Sequence, residues 1–410
     1  MRALCLSAQL PGHLDWGGYL ETAAELVRRG HRLLWASGPA VQPIVEAAGV
    51  PFHPLSETGW RWPPPPPLAD DPGVDPHALR RQKQRRALDQ WLDPARVAPA
   101  TEELHALVEQ FHPDLILSEM FVAAAGLVAE AARRPLAVMG WPAPAAPPAA
   151  ALPGDDLTQA ARARLQELLG RFGLDGRNWT AAGPPALCSP HLHISYWSPS
   201  WFTGVALGAQ TVHVGGRMPA RRPQQTPDPA LPPPDGAPWV LITLGTSFNR
   251  DPNFFVAASH AAEQIGCLPL IAVGAPLTAP WVQAMRPRLA RSSVLAARLD
   301  FAAVLPFVAA AIHHGGAGTT HALIRHAIPQ IVVPHAGDQV RQAQGLLRTG
   351  AGLYLPAKEV TVPRLVAGLA EALPDRSPLR AQAQALQAEF DALGGSAAAA
   401  DQLEALMARL

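Results

Sequence analysis

The octapeptide HHGGAGTT, His313 to Thr320, gathers two imidazoles, three glycines and two hydroxyls where an apolar run through Ile312 stops and an amphipathic segment with Ala322, Leu323 and Ile324 begins. A buried strand that turns directly into a helix presents unpaired N–H groups and about half a unit of positive charge at the helix N-terminus. Glycines let an anion approach that backbone. Thr319, Thr320 and one histidine ring add donors in the same place, so the stretch reads as a phosphate site. It has neither the lysine of a Walker loop nor the GxGxxG spacing of a dinucleotide fingerprint. The plain alternative is a glycine-rich turn that packs tightly under its histidines.

A second constellation follows the next apolar run, where His335-Ala336-Gly337-Asp338-Gln339 offers a carboxylate and an amide suited to sugar hydroxyls. His321, His326 and His335 recur at irregular spacing without an HExxH pattern, which argues against a metal cluster. The cysteines, Cys5, Cys188 and Cys267, form no CxxC pair and read as reduced, buried thiols.

These residues need a scaffold that carries them to strand ends. Short apolar runs at Ala3 to Leu6, Leu33 to Ala36, Leu115 to Leu117 and Leu136 to Met139 alternate with helical patterns such as Leu20, Ala23, Ala24 and Val27. Gly30 is placed to end the first helix. The alternation restarts at Trp239 to Leu244 and continues through Leu270 to Val273, Val294 to Ala297, Ala309 to Ile312, Ile331 to Val333 and Leu353 to Leu355. Strands separated by helices imply parallel sheets, and 410 residues suit two such domains. The expected division is 1–215, a Pro-rich linker at 216–237, and 238–410, with the last helix free to cross back to the first domain. WPPPPPL (Trp62 to Leu68) and WPAPAAPPAAALPG (Trp141 to Gly154) read as long loops.

A formal net charge of zero and 16% charged residues exclude a polybasic nucleic-acid surface. With no leader-like start and no long apolar run, the expectation is a soluble, cytoplasmic protein whose partners are small molecules or other proteins.

The span Leu299 to Leu355, above all HHGGAGTTHALIRHAIPQIVVPHAGDQVRQAQGLLRTGAGLYL, resembles the nucleotide-sugar-binding motif of family 1 glycosyltransferases of the bacterial macrolide and antibiotic type. The resemblance implies the GT-B fold, two doubly wound Rossmann-like domains facing across a cleft. It implies a donor diphosphate at His314, Gly316, Gly318, Thr319 and Thr320, with Gly245 and Thr246 of TLGTS nearby, and a donor sugar at Asp338 and Gln339. ARLDFAAVLP, Ala297 to Pro306, is shorter than the family's base-recognition segment and lacks its glutamine, leaving uridine and thymidine diphosphates both open.

The family's general base is a histidine in a turn after the first strand, here LPGHLDWGG. Counting forward gives His13 and counting back from Gly30 gives Asp15, so both stand as candidates, with an N-cap as the structural role of Asp15. The partner acid maps to Glu119 in PDLILSE, where the family carries aspartate. Trp60, Trp62, Trp141, Trp197 and Trp201 are candidates to line an apolar acceptor site. The implied activity is an inverting, metal-independent sugar transfer from a UDP- or dTDP-sugar to a hydroxyl of an apolar small molecule, with no cofactor. An inactive helper, a nucleotide-sugar epimerase and a lipid-acceptor transferase share the fold and remain alternatives.

Overall fold

A computed structural model describes residues 1–63, 75–145, 156–216, 236–246, 250–335, 337–374 and 377–410, apart from the side chains of residues 76, 80, 337 and 338. The Pro-rich stretches beyond 63 and 145, and 217–235 of the expected linker, lie outside the described residues. The chain forms two compact units: Met1–Trp197 with Val205–Val214 and Gly394–Leu410, and Ser198–Gly204 with Gly215–Leu393.

The first unit is built on a parallel sheet of β1 (Arg2–Leu6), β2 (Arg32–Ser37), β3 (Phe52–Pro54), β4 (Leu115–Glu119), β5 (Leu136–Gly140), β6 (Leu192–Ser195) and β7 (Thr211–His213), in the order β3-β2-β1-β4-β5-β6-β7. Its central strands bury both faces. In β1, Ala3 and Cys5 join one core cluster while Leu4 and Leu6 join the other. The helix Tyr19–Arg28 that leads back to β2 ends as its sequence predicts: Gly30 takes φ +86°, and His31 and Gly30 donate their N–H groups to Leu26 and Val27. The last helix, Gly395–Arg409, completes this unit by burying Ala399, Ala400, Leu403 and Leu406 with Leu20, Ala23 and Leu26. Arg29 pairs with Asp401 and Glu404 along its edge.

The second unit holds β8 (Trp239–Thr243), β9 (Leu268–Ala272), β10 (Val294–Ala296), β11 (Val308–His313), β12 (Gln330–Val332) and β13 (Gly352–Tyr354), all parallel, in the order β10-β9-β8-β11-β12-β13. Ser198–Gly204 belongs here rather than with residues 1–215. The Ser200 N–H and hydroxyl bond the Glu389 carboxylate, and Trp201 lies so close over Gly345 that a β-carbon there would enter the indole.

In each sheet the strand order reverses once beside the first strand, between β1 and β4 and between β8 and β11. Crossovers leave in opposite directions at such a point, so the loops that follow the two strands part and leave a crevice at the carboxyl ends. The segment with His13 follows β1 and Glu119 ends β4. Gly245 and Thr246 follow β8, and HHGGAGTT follows β11.

Candidate functional site

In the first unit, β1 and β4 pair as far as Leu6 opposite Ser118, and beyond that register they separate. Tyr19 fills the fork. Its fully buried hydroxyl accepts the Leu6 N–H at 3.0 Å and donates to the Leu117 carbonyl at 2.9 Å. Burial holds the phenol well above its usual pKa, so it stays a neutral bridge between the strands.

The chain leaving β1 forms a short helix, Pro11–Asp15, that carries His13 back over the sheet end. His13 Nδ1 lies 3.1 Å from Glu119 Oε1, with the histidine 7% exposed and the glutamate 0%. The same Oε1 accepts the Ala8 N–H at 3.2 Å, and Oε2 accepts the Phe121 N–H at 2.9 Å. A buried carboxylate with these donors is satisfied as an anion. The proton between the pair therefore belongs on Nδ1, which leaves the Nε2 lone pair as the basic atom. Glutamate in place of the family's aspartate does not prevent contact. Two main-chain amides, one from each strand end, steer the longer arm onto the ring.

Asp15 ends that short helix half-buried, and its carbonyl accepts the Gly18 N–H at 2.7 Å. It is not the N-cap of the next helix. That place falls to Gly18, which offers no capping side chain because the left-handed turn at Trp16 and Gly17 carries the chain past Asp15 before the helix begins.

Aromatic rings enclose His13: Trp60 at 4.7 Å between centroids, Trp16 at 5.1 Å and Phe121 at 5.4 Å, with Trp141 against Trp16 at 5.9 Å. Buried His193 accepts the Ser189 N–H at Nε2, and its Nδ1 approaches the Trp141 carbonyl at 3.3 Å. Of the tryptophans singled out in the sequence, Trp60 and Trp141 join this group and Trp197 packs on Trp141, whereas Trp201 lies in the second unit. Trp16, Phe121 and Tyr19 were not singled out. Trp16 stands three residues beyond His13, a clue that proximity alone could have supplied.

In the second unit, His313 ends β11 fully buried. Its Nε2 faces Gln330 Oε1 at 2.9 Å, and its Nδ1 accepts the Gly315 N–H at 3.2 Å, so the ring is neutral and holds the turn. Burial takes it down to about 3. His314 points the other way, between two glycines. A β-carbon on Gly316 would lie 2.4 Å from its Nε2, and one on Gly245 would lie 2.8 Å from its Cε1. Burial, helped by nearby His335, pushes His314 down to about 4, so it offers one N–H of a neutral ring rather than a cation.

The helix Ala317–Arg325 then starts at Gly316 with no side-chain cap. Its first N–H groups are thus left for a ligand. Gly318 faces open space and Thr319 is half-buried beside it. Thr320 stands apart from the other motif residues: it is fully buried, and its hydroxyl donates to the Gly316 carbonyl at 2.9 Å, behind the turn. Thr246 is exposed past the end of β8.

Gln339 is buried on the first turn of the helix Gly337–Thr349, and its Oε1 accepts the His335 N–H at 2.8 Å. The side chain of Asp338 lies outside the described residues. The sequence also did not single out Asp251, whose Oδ2 lies 3.1 Å from His335 Nε2 and whose pKa that contact lowers.

Residues 287–406 match the family described as Erythromycin biosynthesis protein CIII-like, C-terminal domain. Over 372 residues the chain is 30% identical to the L-demethylnoviosyl transferase of Streptomyces niveus, covering 87% of this chain and 85% of that enzyme. Among solved structures, it is similar to the calicheamicin glycosyltransferase CalG4 (TM-score 0.73, 22% identity, 100% and 98% of the two chains). It is also similar to the glycosyltransferase VinC in complex with dTDP (TM-score 0.65, 19% identity, 100% of each chain).

Proposed function

The chain belongs to the macrolide and antibiotic glycosyltransferase family of the GT-B fold, and from that premise we propose that it moves a sugar, with inversion and without a metal ion, from a thymidine or uridine diphosphate to a hydroxyl of an apolar small molecule. The observation that carries this reading is the buried His13–Glu119 pair among aromatic rings. Nε2 of His13 takes the proton of the acceptor hydroxyl. The freed oxygen attacks the anomeric carbon from the face opposite the diphosphate, and the carbon–oxygen bond to the diphosphate breaks with its electron pair going to the leaving group. Glu119 stabilises the imidazolium that forms, as the carboxylate of a catalytic triad does.

The leaving diphosphate gains negative charge as that bond breaks. The uncapped helix at Gly316, with Gly318, Thr319, His314 and the residues Gly245 and Thr246, is suited to receive it through fixed dipoles. Among the described residues no group of three His, Cys, Asp or Glu side chains is arranged to hold a metal ion. VinC holds dTDP in its structure, which favours a thymidine diphosphate sugar as the first donor to try here. Gln339, with Asp338, is assigned to the sugar. The apolar acceptor follows from Trp16, Trp60, Phe121 and Trp141. No described helix is long and apolar enough to cross a membrane.

The test is transfer from thymidine and uridine diphosphate sugars to a panel of hydroxylated apolar acceptors, read by mass spectrometry, beside calorimetric binding of the diphosphates. His13→Ala is expected to lower turnover by roughly 10²–10⁴ while diphosphate binding is retained, and Asp15→Asn to stay within about tenfold of the parent. Turnover that survives His13→Ala but not Asp15→Asn would move the base to Asp15.

A further inference from the structure

Building on the donor site proposed above, we propose that His335 is a positioning residue for the sugar half of the donor, holding Gln339 through a clamp whose other jaw is Asp251. His335 follows β12, and three contacts fix it. Its ring Nδ1 lies 2.8 Å from the Val333 carbonyl, its Nε2 lies 3.1 Å from Asp251 Oδ2, and its main-chain N–H donates to Gln339 Oε1 at 2.8 Å. Both ring nitrogens face oxygens that accept, so the full clamp needs a proton on each nitrogen. The ring stands edge-on to Phe254, with centroids 5.7 Å apart.

The second jaw is itself anchored. Asp251 Oδ1 accepts the Phe254 N–H at 3.1 Å and caps the helix Pro252–Gln264. The clamp thus ties the segment after β8 to the segment after β12, and the peptide N–H it immobilises orients the amide of Gln339. Among the described residues, Asp251 faces His335 and His314 lies near it. Burial keeps His314 neutral, and the contact with His335 lowers the pKa of Asp251, so the second jaw is a carboxylate. The diphosphate contacts assigned to Gly316, Gly318 and Thr319 do not run through these bonds. Loss of the clamp should therefore fall on the sugar and spare the nucleoside diphosphate.

The experiment is calorimetric titration of the full chain with thymidine diphosphate, thymidine diphosphate glucose and thymidine diphosphate rhamnose, with melting curves as the folding control. For His335→Ala, affinity for the better sugar conjugate should fall about tenfold while thymidine diphosphate alone stays within about twofold. Asp251→Asn keeps an oxygen for the Phe254 N–H and turns an amide donor toward a singly protonated ring. In Asp251→Asn the extra affinity given by the sugar should fall several-fold while thymidine diphosphate alone stays within about twofold of the parent.

Equal weakening of all ligands in His335→Ala, unchanged affinity for all of them, or a parental gain from the sugar in Asp251→Asn would overturn the clamp while leaving the donor site intact. A parent that binds no thymidine diphosphate, or gains nothing from either sugar, overturns the clamp together with the donor assignment on which it rests. Should His335→Ala not fold, the sugar-conjugate and diphosphate affinities of Asp251→Asn decide.

Discussion

Glu119 joins folding and chemistry in one side chain. Two of its three contacts are main-chain amides that have left the sheet where β1 and β4 part, and the third is the ring it orients. Glu119→Gln keeps the volume but replaces one acceptor oxygen with a donor. We expect kcat to fall by on the order of 10² or more with the donor KM little changed, because the ring loses its tautomer and the charge that stabilises its cation. Glu119→Ala is expected to lower the melting temperature as well, since each orphaned buried N–H costs about 1–3 kcal/mol. Steady-state kinetics of the first variant and calorimetric melting of both check this. A Gln variant with parental kcat would remove Glu119 from the mechanism.

At the scale of one element, the turn from β11 into its helix uses its glycines for different purposes. Gly316, with Gly245 from the neighbouring strand end, makes room for the His314 ring, Gly315 turns the chain at φ +89° against Val332, and Gly318 faces open space. Gly245→Ala and Gly316→Ala should thus displace His314 and weaken diphosphate binding together with stability. Gly318→Ala should separate the two effects: helix propensity favours alanine by about 0.5–1 kcal/mol, while the new methyl group occupies the face where the anion would lie. Melting curves with and without thymidine diphosphate distinguish these cases. A Gly318→Ala variant that melts higher and binds as tightly as the parent would take the ligand off this face.

The strands that carry the site were legible because they are buried on both sides and spell continuous apolar runs. β1, β4, β8, β11 and β12 fall within a residue or two of where those runs place them. The edge strands β3 and β7 went unseen. They are short and only partly buried, so their sequences hold no run to read. β6 was missed because LHIS places a histidine and a serine among its buried positions, each satisfied by bonds no pattern reveals. His13, Glu119 and His314 were legible through motifs. Asp251, the aromatic ring around His13 and the place of Thr320 behind its turn depend on contacts between distant segments, which spacing does not encode.

Across the whole molecule, His193 in the first unit and His313 and His314 in the second are held neutral by burial, down to about 4, 3 and 4 against an ordinary 6.5. A folded value below the unfolded one leaves stability unaffected above about pH 7. As pH falls below 6.5, the unfolded chain binds protons that the folded chain refuses, and stability declines until the folded values are reached. With all three counted, the slope is at most roughly 4 kcal/mol per pH unit. Asp251, held low by His335, adds a smaller loss at lower pH. Melting temperature measured from pH 8 to 4 should be level at the alkaline end and drop steeply at the acid end, and a level profile down to pH 5 would contradict the burial of these rings.

The first unit closes only with a helix made from residues 395–409, while most of the second unit lies between Val214 and Gly394. On a ribosome adding about 5–20 residues per second, that interval lasts roughly ten to forty seconds. During it the face of Leu20, Ala23 and Leu26 has been synthesised but its covering helix has not. The nascent chain therefore shows chaperones an uncovered apolar patch at its N-terminal end, and synthesis that stalls before Leu403 leaves that patch open to aggregation.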